Sequence, residues 1–176
     1  MLRYLYSIAF TRLWKGFFFM KTGFTVHDLM TNKPLCVSRT TSVRDTANEM
    51  QKFNVNSVVV VDGQRPVGII TDEDFVRKVI TKALNIEHLQ AEDIMEKKLI
   101  TIEPQKDIYD ALLSMRDNAI RHLPVVQGDR LVGFLSMNDI LKVQPELFEI
   151  MAEKLILREQ ERKLAMKYRF DKEKAF

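Results

Sequence analysis

The sequence predicts a mixed α/β (α+β) protein built from two tandem β-α-β-β-α units, with an extension at the N-terminus and a helix at the C-terminus. Three observations point there. The first is an internal repeat. Shifted by 65 residues, the segment Val26–Asp74 falls on Ala91–Asp139 without a gap, and 12 of 49 paired positions are identical, where chance leaves about three. Asp28/Asp93, Met30/Met95, Met50/Met115, Gly63/Gly128, Gly68/Gly133 and Asp74/Asp139 are among them. The second is the hydrophobic pattern, which switches within each copy between helical spacing and continuous β-branched runs. The third is size: 176 residues at 46% hydrophobic content suit one domain with appendages, or two small packed units, rather than a disordered chain.

Each copy opens with a short helix, Val26–Met30 or Ala91–Met95, followed by a small strand around Leu35–Val37 or Ile100–Ile102. Val43, Ala47 and Met50, or Ile108, Leu112 and Met115, then recur as one buried helix face. The runs Ser57–Val61 and Leu123–Val126 read as strands covered on both sides. Asp62-Gly63-Gln64-Arg65 and Gln127-Gly128-Asp129-Arg130 are turn-forming, so a hairpin returns the chain through Val67–Ile70 or Val132–Leu135. A second helix starts at Thr71 or Ser136. There Thr71-x-x-Asp74 and Ser136-x-x-Asp139 have the spacing of a capping box, hydroxyl to backbone N–H and acid back to the cap.

The ends differ from this core. Residues 1–24 carry Arg3, Arg12, Lys15 and Lys21 without an acid, and hold eight of the sixteen aromatic residues. Their longest uncharged run, Tyr4–Thr11, is eight residues, far short of the roughly 20 that span a membrane. Three readings stand: an interfacial or presequence-like helix, a helix packed on the body or a partner, or a start upstream of a true one at Met20. From Pro145 onward, Leu147, Met151 and Leu155 recur every four residues before the chain turns charged. The apolar half is expected to pack on the body or a second subunit, and the charged half to be a solvated or output helix. The divisions are thus 1–23, 24–84, 85–144 and 145–176.

Composition excludes several functions. The single cysteine, Cys36, cannot close an internal disulfide and fits a reducing, cytoplasmic setting, where it is expected as a small core residue of a strand. His27, His88 and His122 are scattered, so no metal site is expected. A net charge of +3 demands no nucleic-acid partner. No Walker loop, dinucleotide fingerprint or nucleophile–base motif is present, so no enzyme is expected.

Several of these motifs recur in order, twice. Val61-Asp62…Gly68-Ile69-Ile70-Thr71-Asp72-Glu73-Asp74 and Val126…Gly133-Phe134-Leu135-Ser136-Met137-Asn138-Asp139 resemble the closing signature of CBS domains. The openings Val26–Thr31 and Ala91–Met95 fit it, as does His122-Leu123-Pro124-Val125-Val126. One departure is the acid after the strand, Asp62 in the first copy but Gln127 in the second. The resemblance spans about Thr25 to Leu141. It implies a pair of repeats packed about a pseudo-twofold axis, a homodimer, and two clefts for an adenosine ligand between the repeats. The Asp would bind ribose hydroxyls and the neighbouring Thr or Ser would contact ribose or phosphate.

Carried over by position, one cleft combines Thr71 and Asp74 with Lys98, Leu99, Ile100, Ile120, Arg121, His122 and Pro124. The other combines Ser136 and Asp139 with Lys33, Pro34, Leu35, Val55, Asn56, Ser57 and Val59. Arg121-His122 supplies cations where Asn56-Ser57 supplies neutral groups. AMP, ADP or ATP is therefore expected at the first cleft. The second is expected to hold an uncharged adenosine derivative, S-adenosylmethionine, or nothing. Asp72 and Glu73 would oppose phosphate if they face the first cleft. The leading expectation is a regulatory module that signals ligand occupancy to an unidentified protein partner. The alternatives are a scaffold whose motifs are only helix caps, and a membrane-surface regulator acting through residues 1–24.

Overall fold

The computed structural model describes residues 21–147. The first repeat contains α1 (Val26–Leu29), β1 (Cys36–Ser38), α2 (Val43–Lys52), β2 (Ser57–Asp62), β3 (Arg65–Thr71) and α3 (Asp72–Asp74), which continues as a π-helical turn over Phe75–Ile80. A 3-10 turn at Ile86–His88 leads into the second repeat. This holds α4 (Ala91–Ile94), α5 (Ile108–Asn118), β4 (His122–Gln127), β5 (Arg130–Ser136) and α6 (Met137–Val143), then a 3-10 turn at Pro145–Leu147. The expected extension over 1–23 and tail over 145–176 lie almost wholly outside the described residues. Among those described, no helix is long and apolar enough to cross a membrane.

Local chemistry sets these elements. Ser42 caps α2 by accepting the Asp45 N–H at 2.9 Å, and Asp107 caps α5 by accepting the Tyr109 N–H at 2.8 Å. Val43 and Met50 are buried as expected, but Thr46 rather than Ala47 completes the buried face. Its hydroxyl donates to the Ser42 carbonyl at 2.9 Å, so its burial leaves no polar atom unpaired. Both helices end in a left-handed residue, Asn54 (φ 52°) or Ala119 (φ 57°), which turns the chain toward its hairpin.

In the first sheet β2 lies between β1, parallel, and β3, antiparallel. The hairpin loop is two residues with positive φ only at Gly63 (61°), the pattern of a type II′ turn, and Gly128 (62°) repeats it. Each hairpin also shifts register at the same place, Val60/Val61 and Val125/Val126. Two expectations need correction. The second repeat has no full first strand, only a parallel bridge between Ile102 and Val125. In the first repeat the Val59 N–H donates to the Leu35 carbonyl at 3.1 Å; the counterpart of Val59 is Pro124, which has no N–H to offer. Cys36 is exposed rather than in the core. Successive strand residues face opposite ways, and Val37 takes the inward position.

The repeats are joined by a reciprocal exchange. The opening helix of each one packs in the core of the other: Val26 sits with Ile108, Leu112, Leu123 and Leu135, while Ala91, Ile94 and Met95 sit with Val43, Val58, Val60 and Ile70. Backbone pairs close both exchanges. Thr31 and Phe134 trade N–H···O bonds of 2.8 and 3.0 Å, and Ile69 and Glu96 trade bonds of 3.1 and 2.8 Å. The repeated pair Gly68 and Gly133 is explained here. A Cβ on Gly68 would lie 2.7 Å from Met95 Cγ, and one on Gly133 would lie 3.0 Å from Met30 Cγ. The departure at Gln127 is explained likewise. Asp62 lies 3.9 Å from Arg39, which also pairs with Glu92 at 3.0 Å. The counterpart of Arg39 is Pro104, so an acid at 127 would lack that guanidinium partner.

Gly133→Ala is expected to destabilise the protein by about 1–3 kcal/mol through overpacking against Met30. Denaturant unfolding checks it: an unchanged midpoint would show that the methionine yields freely and that the close approach is incidental.

Candidate functional site

Two clefts open along the seam between the repeats. All nine residues expected in the first cleft line it: Thr71, Asp74, Lys98, Leu99, Ile100, Ile120, Arg121, His122 and Pro124 surround a cavity of about 450 Å³. The second cleft, of about 780 Å³, is lined by Ser136, Asp139, Pro34, Leu35, Val55, Asn56, Ser57 and Val59. Lys33 does not line it and is exposed. The preceding turns also differ: the N–H of Lys98 donates to Glu96 Oε1 at 2.9 Å, and the counterpart of Glu96 is Thr31, which has no carboxylate.

Asp72 and Glu73 do line the first cleft, as the opposing charges considered above. Other lining residues were not anticipated: Phe75 and Phe134 join the second cleft, while Glu96 and Arg116 join the first. Phe134 lies two residues before Ser136 on β5, just as Ile69 lies two before Thr71 on β3. The 65-residue offset carries that signal, but only for a reader who already knows that these strands face the seam.

The capping boxes form in both repeats and shape the cleft mouths. Asp74 Oδ2 accepts the Thr71 N–H at 2.8 Å and the Thr71 hydroxyl at 3.0 Å. Its Oδ1 receives Lys78 Nζ at 2.9 Å, and Lys78 also donates to the Ile94 carbonyl at 2.7 Å, in the exchanged helix α4. Asp139 Oδ2 accepts the Ser136 N–H at 3.0 Å and hydroxyl at 2.6 Å, whereas Lys142 stands 3.8 Å from Oδ1. The Asp74 side chain is 16% exposed and that of Asp139 is 28%. A carboxylate offers about four lone-pair positions, so both have acceptor capacity left, Asp139 the more accessible.

The helix N-termini are less free than their sequence suggests. The Asp72 N–H donates to the Asn56 carbonyl at 3.1 Å and the Met137 N–H to the Arg121 carbonyl at 2.9 Å. The Glu73 N–H is taken by Asp72 Oδ1 at 2.8 Å. These bonds hold the segments 55–57 and 120–122 in place, and they leave charge recognition to side chains. In the first cleft those are Lys98, Arg116 and Arg121 against Asp72, Glu73, Asp74 and Glu96. Two of the acids are engaged, Glu73 by Arg77 and Asp74 by Lys78.

His122 and Asp72 line both clefts. The imidazole is half-buried and stacks on Phe134, with ring centroids 5.6 Å apart and planes 20° from parallel. Burial holds its pKa below the ordinary histidine value. Arg121 acts in the same sense, and Asp72 and Asp139 oppose it. Among the described residues, no group of three or more His, Cys, Asp or Glu is placed to hold a metal ion.

The comparisons with known proteins agree with the repeat. The model of the CBS domain matches twice, over residues 26–81 and 91–146. An uncharacterized protein of Methanopyrus kandleri, MK0525, is 35% identical over 130 residues, covering 73% of this chain and 64% of its own. The mitochondrial CBS domain-containing protein CBSX3 of Arabidopsis thaliana is 36% identical over 106 residues, covering 57% of this chain and 52% of its own. The chain thus spans between half and two thirds of the length of these two relatives. An uncharacterized conserved protein from Pyrococcus horikoshii superposes with a TM-score of 0.63 at 31% identity, over 68% of this chain and 90% of that one. The CBS domain pair of protein MJ0100, crystallised with 5′-methylthioadenosine and S-adenosyl-L-methionine, superposes with a TM-score of 0.62 at 26% identity, over 68% of this chain and 98% of its own. With two matched domains, exchanged openings and a seam of two clefts, this chain belongs to the CBS-domain family as a tandem CBS pair.

Proposed function

We propose that this protein is a regulatory module that binds an adenosine-containing ligand in its seam clefts and passes occupancy to a protein partner. The observation that carries the reading is the composition of each cleft from both repeats. Each places a capped carboxylate beside a slot of aliphatic walls: Leu99, Ile100, Ile120 and Pro124 in the first, and Leu35, Val55 and Val59 in the second. An ionised carboxylate accepts two sugar hydroxyls and strengthens both bonds, while flat apolar walls suit a purine. The MJ0100 pair, similar in fold and sequence, holds two adenosine compounds, which supports the same ligand class here. A ligand bridging the repeats favours one relative arrangement of them, and that difference in affinity is what a partner would read.

The clefts should differ in the charge they accept. Arg121 and Lys98 favour a phosphorylated nucleotide, AMP, ADP or ATP, in the first cleft, with Asp72 and Glu96 the opposing charges. The second is wider, carries Phe75 and Phe134, and suits S-adenosylmethionine or an uncharged adenosine derivative. Val76, Ile80 and Val143 remain exposed on the helices that follow each hairpin. We propose that these faces meet in a homodimer. No catalytic step is proposed. One observation favours the scaffold reading for the first cleft: Asp74 is already held by Thr71 and Lys78 within the fold.

Thermal melting with adenosine, AMP, ATP and S-adenosylmethionine separates the two readings. The ligand reading expects a rise in midpoint with at least one compound, and no rise with any would favour the scaffold. Where AMP binds, Arg121→Ala is expected to weaken it about tenfold or more, because a hydrogen bond to a charged group contributes about 1.5–3 kcal/mol against about 1 for a neutral one. Asn56→Ala is expected to have the smaller effect. Calorimetry that found equal losses in the two variants would overturn the assignment of phosphate to the first cleft.

A further inference from the structure

The pseudo-twofold frame assigns one side chain to each seam position, and at one of them the two repeats diverge sharply. His122 occupies the position that Ser57 takes in the first repeat. Ser57 is a small buried residue lining only the second cleft, whereas His122 lines both. Its neighbours fix it there. The ring stacks on Phe134, itself a wall of the second cleft and the partner of Thr31 in the exchanged backbone pair. From the other repeat comes Asp72, the second residue common to both clefts. A titratable ring and an acid thus stand in the partition between two ligand sites.

Resting on the ligand reading above, we infer that His122 serves both clefts as a single proton-linked sensor of ligand charge. The charged groups around it are Arg121 just before its own strand, Asp72 at the start of α3 and Asp139 in the first turn of α6. Lys98, Arg116, Glu73, Asp74 and Glu96 line the first cleft, and Lys142 the second. Without ligand, burial and Arg121 favour the neutral imidazole, against the smaller opposing pull of Asp72 and Asp139. A phosphate entering either cleft adds negative charge beside the ring, which takes a proton from solvent and then donates to the anion. An uncharged adenosine derivative supplies no such drive. Phosphorylated ligands therefore bind with uptake of a proton, and uncharged ones without it.

Imidazole NMR titration of the full-length protein, alone and saturated with adenosine or with AMP, tests this. The chain has three histidines, and His27→Gln and His88→Gln, both at exposed positions, assign the His122 signal without altering the lining of either cleft. AMP is expected to raise the His122 midpoint by about one unit or more, a tenfold change in proton affinity, and adenosine to leave it in place. At saturating AMP the rise is expected to survive in Asp139→Asn, and in Asp74→Asn to appear only at higher AMP concentration, as the second, less favoured cleft fills. Between about pH 7 and 8, where the phosphate is already dianionic, AMP affinity should fall by up to tenfold in the wild type and stay level in His122→Asn. AMP binding with an unmoved His122 midpoint overturns the inference and leaves the ligand reading standing. A rise abolished by one aspartate variant alone overturns the shared role. No spectral change with either compound overturns the inference, and if S-adenosylmethionine and ATP also produce none, the ligand reading falls with it.

Discussion

The exchange of opening helices between the repeats is the constraint on which the rest of the structure depends. Each half lacks a wall of its own core and receives it from the other: Val26 goes one way, Ala91 and Ile94 the other. Burying an aliphatic side chain contributes about 1.5–3 kcal/mol, so several such side chains per repeat amount to most of what a small domain can spare. The glycine–methionine contacts and the paired backbone bonds at Thr31/Phe134 and Ile69/Glu96 fix how closely the halves approach. The clefts are what remains of the seam once that approach is set. Lys78 ties the two ideas together, because it holds Asp74 at the mouth of the first cleft and the end of α4 from the opposite repeat.

On this symmetric frame, a few unmatched positions give the clefts different characters. Asn56-Ser57 becomes Arg121-His122, Val59 becomes Pro124, Ile69 becomes Phe134, and Asp72 becomes Met137. Two of these changes have visible structural consequences. Pro124 removes a ladder donor and reduces the first strand of the second repeat to one bridge. Phe134 gives His122 a ring to stack on. The outcome is one narrower, charge-rich cleft and one wider, more aromatic one, sharing a partition.

Much of this was legible in the sequence because duplication makes every motif testable against its twin. The hairpin turns, the helix caps and the alternation of elements came from residues that act locally: Gly63, Ser42, Asp107, the Thr71–Asp74 spacing. The cleft lining transferred by position because the repeat has no gaps. What was not legible depends on side-chain direction or on contacts across the seam. Cys36 was expected inside, and strand parity put Val37 there instead. Lys33 was expected at the second cleft but does not line it, and nothing like Glu96 precedes it. Met30 and Gly133 were visible as repeated residues, yet their contact joins sites about a hundred positions apart, and no local pattern encodes it.

The most direct test of the exchange is to express the first repeat alone, residues 24–84, and record its far-ultraviolet circular dichroism through a denaturant titration. Without Ala91, Ile94 and Met95 its core is open on one side, so the isolated repeat is expected to lack a cooperative unfolding transition. A sharp, two-state transition in the isolated repeat, with the sheet content of the intact chain, would contradict the claim that each half is completed by the other.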